Sequence, residues 1–288
     1  MSKRKLIILL GPTAVGKTEH SLGLARRYDS PIISCDSRQI YREMAIGTAV
    51  PSAEQLQQVK HYFIQDHSIH SGMYTAGRYE LEALALMDRL FAEGHEVLVM
   101  TGGSGFYIDA VCNGLDDFPQ ADMELRNKLM ERLRNEGVES LRTELKMLDP
   151  ESYRTIDIAN GQRVVRALEV CIMTGRPFSS FKTSQNKKRD FEIQKIGLTR
   201  PRDVLYDRIN RRVLQMMEDG LEQEAASLVQ YRSLPALQTV GYREIYGCMD
   251  GEYDMAKAVE LIQRNTRHYA KRQMTWWARD KEIEWKEI

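Results

Sequence analysis

The feature that most constrains this chain is a phosphate loop at residues 11–18, GPTAVGKT, which matches G-x-x-x-x-G-K-[ST] without a gap. An apolar run at 6–10 leads into it, and a segment with helical spacing follows. Such a loop lets backbone N–H groups and a helix N-terminus converge on phosphate oxygens. Lys17 adds a positive charge, and the Thr18 hydroxyl can bind a Mg²⁺ shared with the phosphates. The loop alone leaves open whether a nucleoside triphosphate or another diphosphate binds.

Short apolar runs predict the strands of a sheet, at 6–10, 32–35, 96–100 and 192–199. A right-handed crossover places the second strand beside the first in a parallel sheet. A long final helix is predicted over 256–277. We therefore expect an α/β fold, a P-loop NTPase-like parallel sheet flanked by helices, with a helical insertion domain.

The insertion domain is indicated by a change in pattern after Leu115. Charged segments with helical periodicity cover 122–148 and 160–174, and no stretch between them has the pattern of a strand. We predict a P-loop core and a helical insertion that contacts a polyanion, with the boundaries 1–115 and 190–288 for the core and 116–189 for the insertion.

Asp36 follows the second predicted strand, where open α/β sheets keep their ligands. A carboxylate near a phosphate loop can hold Mg²⁺ or accept a proton from a nucleophile, and a helix N-cap is the structural alternative. The third strand turns through the glycine-rich segment 101–105, which allows a ligand to approach the backbone closely. No Asp ends that strand, which argues against a nucleotide-hydrolysing switch.

Composition describes a chain of 288 residues with 42% hydrophobic residues, 28% charged residues and a net charge of zero. No apolar run approaches the roughly 18 residues of a membrane span, the start of the chain lacks a signal cleavage site, and no C-x-x-C pair suggests a metal or disulfide framework. We expect a cytoplasmic monomer. The charge is unevenly spread: 160–213 holds 13 Lys/Arg against 5 Asp/Glu, and 263–279 holds five and no acids. These basic segments favour a nucleic acid partner, although solvated helix faces also collect such charges.

The chain resembles the tRNA dimethylallyltransferases, also called isopentenyl-diphosphate:tRNA transferases. The resemblance spans most of the sequence, in family order, through GPTAVGKT at 11–18, DSRQIY at 36–41, GGSGFY at 102–107, QRVVRALEV at 162–170, GYRE at 241–244 and TRHYAKRQMTWW at 266–277. It implies transfer of a dimethylallyl group from its diphosphate to N6 of the adenosine 3′ to the anticodon in tRNA. Mg²⁺ is the implied cofactor, and diphosphate is the product.

The resemblance also implies roles for residues of this sequence. Asp36 would be the general base, with Thr13 orienting it or the diphosphate, and Gln39 would hydrogen-bond the adenine edge of a base extruded from its stack. The metal ligand would be Thr18. Diphosphate or nucleotide binding is assigned to Gly11, Pro12, Thr13, Ala14, Val15, Gly16, Lys17, Thr18 and Arg243. The tRNA contacts are assigned to Asp36, Ser37, Arg38, Gln39, Ser104, Arg126, Gln162, Arg163, Val164, Val165, Arg166 and Lys271.

Two residues depart from the family pattern. Ser104 stands where Thr is more common and keeps the hydroxyl, and Arg38 lies inside DSxQ, at the place of a local RNA contact. No zinc-finger extension is present in the sequence, which suggests a bacterial type of enzyme.

Two other functions fit parts of the pattern. A P-loop small-molecule kinase would bind ATP at the same loop but would not need the basic final helix. A non-enzymatic RNA-binding module would bind tRNA even without Lys17 and would catalyse nothing.

Overall fold

The computed structural model describes residues 4–182 and 187–288. The chain divides into two compact units, a larger unit of Met1–Cys112 and Lys188–Ile288 and a smaller unit of Asn113–Lys187. The smaller unit begins three residues before the predicted insertion, 116–189, and ends two residues before it.

Within the described residues, six strands form one sheet: β1 (Lys5–Leu10), β2 (Ile32–Ser34), β3 (His61–Tyr62), β4 (Val97–Gly102), β5 (Glu192–Thr199) and β6 (Ile283–Glu287). Their order across the sheet is β3-β2-β4-β1-β5-β6, and all neighbouring pairs are parallel. The helices, in chain order, are α1 (Lys17–Arg27), α2 (Ala53–Gln58), α3 (Ala76–Ala92), α4 (Gly105–Asn113), α5 (Met123–Glu136), α6 (Val138–Leu148), α7 (Pro150–Thr155), α8 (Gly161–Thr174), α9 (Arg202–Glu218), α10 (Leu221–Ser227), α11 (Tyr242–Met249) and α12 (Met255–Trp277).

This arrangement confirms the predicted parallel α/β fold, and it adds two edge strands that the sequence did not reveal. β3 has two residues, too few for a periodic pattern. β6 has only one buried side chain, Ile283, so its sequence lacks the alternation of a half-buried strand.

An apolar cluster in the larger unit fixes the helices that surround the phosphate loop. It joins β1, β5, α9 and α12 through the buried residues Ile7, Leu9, Val15, Ile196, Leu198, Leu205, Ile209 and Ala270. Full burial of such side chains is worth roughly 1.5–3 kcal/mol for each large one. The cluster therefore holds one face of α9 and one face of α12 against the strands beside the loop.

The smaller unit has a separate core, in which the apolar faces of α5, α6 and α8 meet around Leu129, Leu141, Leu145, Val164, Val165 and Leu168. The expectation of continuous helix over 122–148 is corrected, because Gly137 adopts φ 78° and divides α5 from α6. The described part of this unit contains no strand, as the sequence predicted.

No helix in the described ranges combines the length and the apolar character that crossing a membrane requires.

Candidate active site

The phosphate loop connects β1 to α1, and two glycines give it its shape. Gly11 has φ 153°, and a Cβ there would lie 2.7 Å from the Leu198 carbonyl oxygen. Gly16 has φ 113° and precedes α1 as its N-cap, so no side chain caps the first turn of the helix. The first-turn N–H groups of α1 are therefore available to an anion, as the sequence predicted for this loop.

Cationic side chains hold the carbonyl groups of the loop. The Lys17 ammonium donates to Gly11 O at 2.8 Å and Pro12 O at 3.0 Å. From outside the loop, Arg208 Nε donates to Ala14 O at 2.9 Å and Arg200 Nε to Val15 O at 2.8 Å. Desolvation lowers the pKa of Lys17 to about 8, an effect that the Asp36 carboxylate partly opposes. The loop thus brings several positive charges together around a site for an anion.

Arg212 on α9 adds another positive charge near the phosphate loop. Its NH1 lies 3.4 Å from the Thr13 hydroxyl. The Arg212 side chain lines a cleft at the phosphate loop together with Arg208 and Arg211. Burial lowers the pKa of the Arg212 guanidinium, and the nearby Asp36 carboxylate acts in the opposite direction. The sequence analysis counted these arginines only within the basic segment 160–213 and assigned none of them to the phosphate site. Their spacing of three and four residues after a strand was the available signal.

Asp36 lies two residues after β2, at the carboxyl end of the sheet. Its Oδ1 accepts hydrogen bonds from the backbone N–H groups of Arg38 at 2.9 Å and Gln39 at 3.3 Å. The Ser104 hydroxyl accepts from Ser37 N at 2.9 Å, which joins the loop after β2 to the loop after β4. These predicted residues therefore come together at one edge of the sheet.

Gln39 has a fixed amide group. Its Nε2 donates to Thr48 O at 3.1 Å and to Ala49 O at 2.8 Å. Because these two bonds use both amide hydrogens, the side-chain oxygen is the atom that can accept from a ligand.

Gln273 connects α12 to the phosphate loop, although the sequence analysis did not single it out. Its Oε1 accepts from Thr13 N at 2.9 Å, and its Nε2 donates to Gly103 O at 2.9 Å. The side chain is buried, so both ends of the amide are satisfied inside the protein.

Two clefts in the larger unit share part of their walls. The first measures about 570 Å³ and contains Lys17, Thr18 and the α9 arginines. The second measures about 420 Å³ and contains Ser37, Arg38, Arg243 and Arg272. Both are lined by Thr13, Asp36, Thr48, Arg212 and Tyr269. Asp36 thus lies where the two clefts meet.

Arg243 was predicted to bind the diphosphate, but it lies in the second cleft. Its side chain is 51% exposed and lines the second cleft, not the cleft that contains the phosphate loop. Lys271, the predicted tRNA contact on α12, is exposed and lines neither of these clefts.

Within the smaller unit, α8 divides its predicted tRNA contacts between surface and core. Gln162 and Arg163 are exposed. Val164 and Val165 are 0% and 2% exposed and belong to the apolar core, so their side chains are covered in this structure, and tRNA binding at these two positions stays a prediction. Their burial follows from the amphipathic period of α8.

Two arginines of the smaller unit share one buried carboxylate. Glu169 Oε2 accepts from Arg126 NH2 at 2.6 Å and from Arg166 NH1 at 3.0 Å. Arg166 NH2 also donates to Pro119 O at 2.8 Å. Both guanidinium groups are partly exposed, at 22% and 29%, whereas the Glu169 side chain is fully buried. The predicted tRNA contacts at Arg126 and Arg166 are thus held in place by an acid beneath them.

A metal ion would find few protein ligands at the phosphate loop. In the described ranges no three His, Cys, Asp or Glu side chains form a group that could hold an ion. Thr18 lines the cleft and offers a hydroxyl. This donor set suits Mg²⁺, which takes few protein ligands and completes its shell with phosphate oxygens and water.

Comparison with known proteins identifies the family of this chain. The IPP transferase family profile matches residues 39–280. tRNA dimethylallyltransferase 1 of Bacteroides thetaiotaomicron is 51% identical over 97% of this chain and 90% of its own length.

Solved structures are similar over nearly the whole chain. The tRNA isopentenylpyrophosphate transferase of Bacillus halodurans is 37% identical, with a TM-score of 0.72, over 99% of this chain and 90% of its own. A eukaryotic dimethylallyltransferase, solved acting on tRNA, has a TM-score of 0.82 over 99% of this chain and 74% of its own. At 24% identity, that similarity supports the fold alone.

Proposed function

Because the chain belongs to the IPP transferase family, we propose that it is a tRNA dimethylallyltransferase. It transfers a dimethylallyl group from dimethylallyl diphosphate to N6 of the adenosine 3′ to the anticodon in tRNA, and it releases diphosphate. The observation that carries this proposal is the position of Asp36 on the wall of both clefts, between a diphosphate site and a site open to a nucleotide. A kinase could use the second cleft for its phosphoryl acceptor, so the family match is what favours the transferase over the kinase alternative.

The diphosphate binds in the first cleft beside Lys17 and Thr18, and Gln39 lines the same cleft. Lys17, Arg208 and Arg212 line it, and the first-turn N–H groups of α1 join them. As the C1–O bond of the dimethylallyl group breaks, negative charge grows on the departing diphosphate. Cations and N–H groups that are already in place stabilise that charge.

Asp36 acts as the general base. Adenine N6 is a poor nucleophile, because its lone pair is delocalised into the ring. As the N6–C1 bond forms, Asp36 takes the proton that N6 loses. The hydrogen bonds from Arg38 N and Gln39 N to Oδ1 hold the carboxylate, and Oδ2 is left for the proton.

Gln39 selects the base. Its free amide oxygen can accept a hydrogen from the exocyclic amine of adenine, whereas guanine would present a carbonyl oxygen to it. An acceptor facing an acceptor is unfavourable, so the same contact rejects guanine.

Thr18 would hold Mg²⁺ beside the diphosphate. The bound ion would supply positive charge that neutralises the leaving group. No other protein ligand is assigned to it.

The tRNA contacts lie on both units. In the larger unit they are Ser37, Arg38, Ser104 and Lys271, together with Arg243, whose place beside the second cleft suits RNA better than diphosphate. In the smaller unit they are Arg126, Gln162, Arg163 and Arg166. We propose a cytoplasmic location and a monomeric state; a tRNA substrate supports the first, and the lining of both clefts by one chain supports the second.

Incorporation of radiolabel tests the function. The protein is incubated with labelled dimethylallyl diphosphate, Mg²⁺ and an anticodon stem-loop that carries adenosine 3′ to the anticodon. We expect label in this RNA and none in a matched stem-loop with guanosine at that position. Failure to label the adenosine RNA, together with phosphoryl transfer from ATP to a small molecule, would favour the kinase.

A further inference from the structure

Glu224, on α10, makes an unusual set of hydrogen bonds to a loop of the larger unit. Its Oε2 accepts from Ala45 N and Ile46 N, each at 2.8 Å, and its Oε1 accepts from Gly47 N at 2.9 Å. The Tyr242 hydroxyl donates to the same Oε1 at 2.6 Å. One carboxylate thus binds three successive backbone N–H groups and a phenol, and bonds of this charge-assisted kind are the stronger ones.

The bound segment is closely packed as well as hydrogen-bonded. A Cβ on Gly47 would lie 2.6 Å from the Tyr242 ring, so only glycine fits against this buried tyrosine. Burial raises the pKa of the Tyr242 phenol, and the Glu224 carboxylate raises it further, so the hydroxyl remains a donor. The segment from 45 to 47 therefore has little freedom to move away from Glu224.

The next two residues carry the carbonyl groups that hold Gln39. Thr48 O and Ala49 O both accept from Gln39 Nε2, and both residues line the first cleft. A chain of direct contacts thus runs from Glu224 through the backbone at 45–49 to the Gln39 amide. Glu224 is absent from the lining of both clefts that meet at Asp36.

We propose that Glu224 is a positioning residue for recognition of the target adenine, acting through segment 45–49 on the orientation of the Gln39 amide. This inference rests on the proposed function, since it assumes that Gln39 meets the adenine. If segment 45–49 shifts, Thr48 O and Ala49 O no longer fix both amide hydrogens. The amide can then present its NH₂ group to the base, and the preference for adenine falls.

The test is a double-mutant cycle on transfer to the adenosine stem-loop. In Glu224→Gln the side chain keeps its shape, but an NH₂ group replaces one carboxylate oxygen. That group cannot accept from the backbone N–H donors it faces, so the hydrogen bonds on that side are lost. We expect KM for the stem-loop to rise about tenfold. The rise in KM for dimethylallyl diphosphate should be smaller, because Thr48 and Ala49 also line the cleft that binds the diphosphate. Gln39→Ala should have a similar effect, and the double variant should be no worse than Gln39→Ala alone.

Two further variants keep the test independent of folding. Glu222→Gln changes an exposed acid on the same helix and should match the wild type. Tyr242→Phe removes one of the four bonds and should shift the KM for the stem-loop in the same direction, by less. Each variant is first compared with the wild type by thermal unfolding, so that transfer is measured well below its Tm.

The outcomes separate the inference from a purely structural role. Additive effects of Glu224→Gln and Gln39→Ala, or an equal rise in KM for both substrates, would overturn it. The same holds if Glu224→Gln lowers Tm while KM for the stem-loop and the discrimination against guanosine stay at wild-type values. Absence of any transfer by the wild type would instead contradict the proposed function.

Discussion

The phosphate loop and the basic face of α8 are both regions where the sequence predicted contact with an anion, yet they are built differently. Around the loop, Lys17, Arg200 and Arg208 donate to backbone carbonyl groups, which carry no formal charge. On α8, Arg166 instead shares the Glu169 carboxylate with Arg126 from α5. Within the described residues Lys17 and Arg208 form no ion pair, although the Asp36 carboxylate acts on Lys17 from nearby. In the smaller unit, the Glu169 carboxylate directly offsets part of the charge of Arg126 and Arg166 and fixes their geometry.

This difference separates two ways of binding a phosphate. Concentrated, partly desolvated charge acts strongly at short range, which suits a diphosphate whose charge grows during the reaction. Arginines that pair with an internal acid are oriented before RNA binds. Each adds less net positive charge, because the acid offsets part of it. Changes at the loop should therefore alter turnover, and changes on α8 should alter affinity for tRNA.

The largest effect is expected from Lys17→Met, which removes a cation from the diphosphate cleft. We expect kcat/KM for dimethylallyl diphosphate to fall about 10³-fold, because loss of one preorganised charge-stabilising donor costs on the order of 10²–10³ in kcat alone. The affinity for the stem-loop, measured by filter binding, should stay within a few-fold. Equal loss of RNA affinity would mean that the loop has a structural role in both sites.

Thr18→Ala should reduce kcat by roughly 10- to 100-fold, as expected for one hydrogen bond or ligand to a charged group. It should also raise the Mg²⁺ concentration needed for half-maximal activity. Thr18→Ser retains the hydroxyl and serves as the control. If the alanine variant responds to Mg²⁺ as the wild type does, Thr18 is not the metal ligand.

The lowered pKa of Lys17, about 8, predicts a pH effect at the same site. In the free enzyme, Lys17 loses its proton as the pH rises through this value, and an anion then meets a neutral amine. We expect kcat/KM for dimethylallyl diphosphate to fall about tenfold per pH unit above pH 8. Lys17→Arg, which stays charged, should lack this limb, and a wild-type profile that is flat in that range would refute the assignment.

The smallest effects are expected on α8. Arg163 forms no ion pair within the described residues, so Arg163→Ala should reduce the salt slope of tRNA binding by about one unit without changing Tm.

Arg166→Ala should weaken tRNA binding and also lower Tm, because it leaves the buried Glu169 with Arg126 alone. Arg89→Ala, an exposed residue of α3, is the control. If the Arg163 and Arg166 variants showed the same salt slope and the same Tm, the pairing of Arg166 with Glu169 would have no effect on either property, which would contradict this prediction.

The sequence revealed the features that are local along the chain. The phosphate loop is contiguous over eight residues, and Asp36 follows directly from a buried strand. Arg208 and Gln273, in contrast, meet the loop across 194 and 260 residues. Such contacts depend on how α9 and α12 pack against the sheet, and periodicity reports only that one face of each helix is apolar.

The position of a residue on its helix decides where its side chain lies, and a motif does not show this. In QRVVRALEV, the motif predicted to bind tRNA contains its own apolar face, so Val164 and Val165 point into the core while Arg163 does not. The Arg243 side chain was assigned to the diphosphate by its motif, although α11 begins beside the second cleft. A motif shows that its residues share a site, but the turn of the helix decides which of them reach it.

The most direct test of the account is the rate of a single turnover by Asp36→Asn. Asn keeps an Oδ1 that can accept from Arg38 N and Gln39 N, so the turn at this position should persist. It cannot take the N6 proton, and general-base catalysis is worth roughly 10²–10⁴-fold. We predict a loss of that size in the rate of transfer, with the binding of both substrates within a few-fold of wild type. A near-normal rate would contradict the central claim, because Asp36 would then only position the adenine.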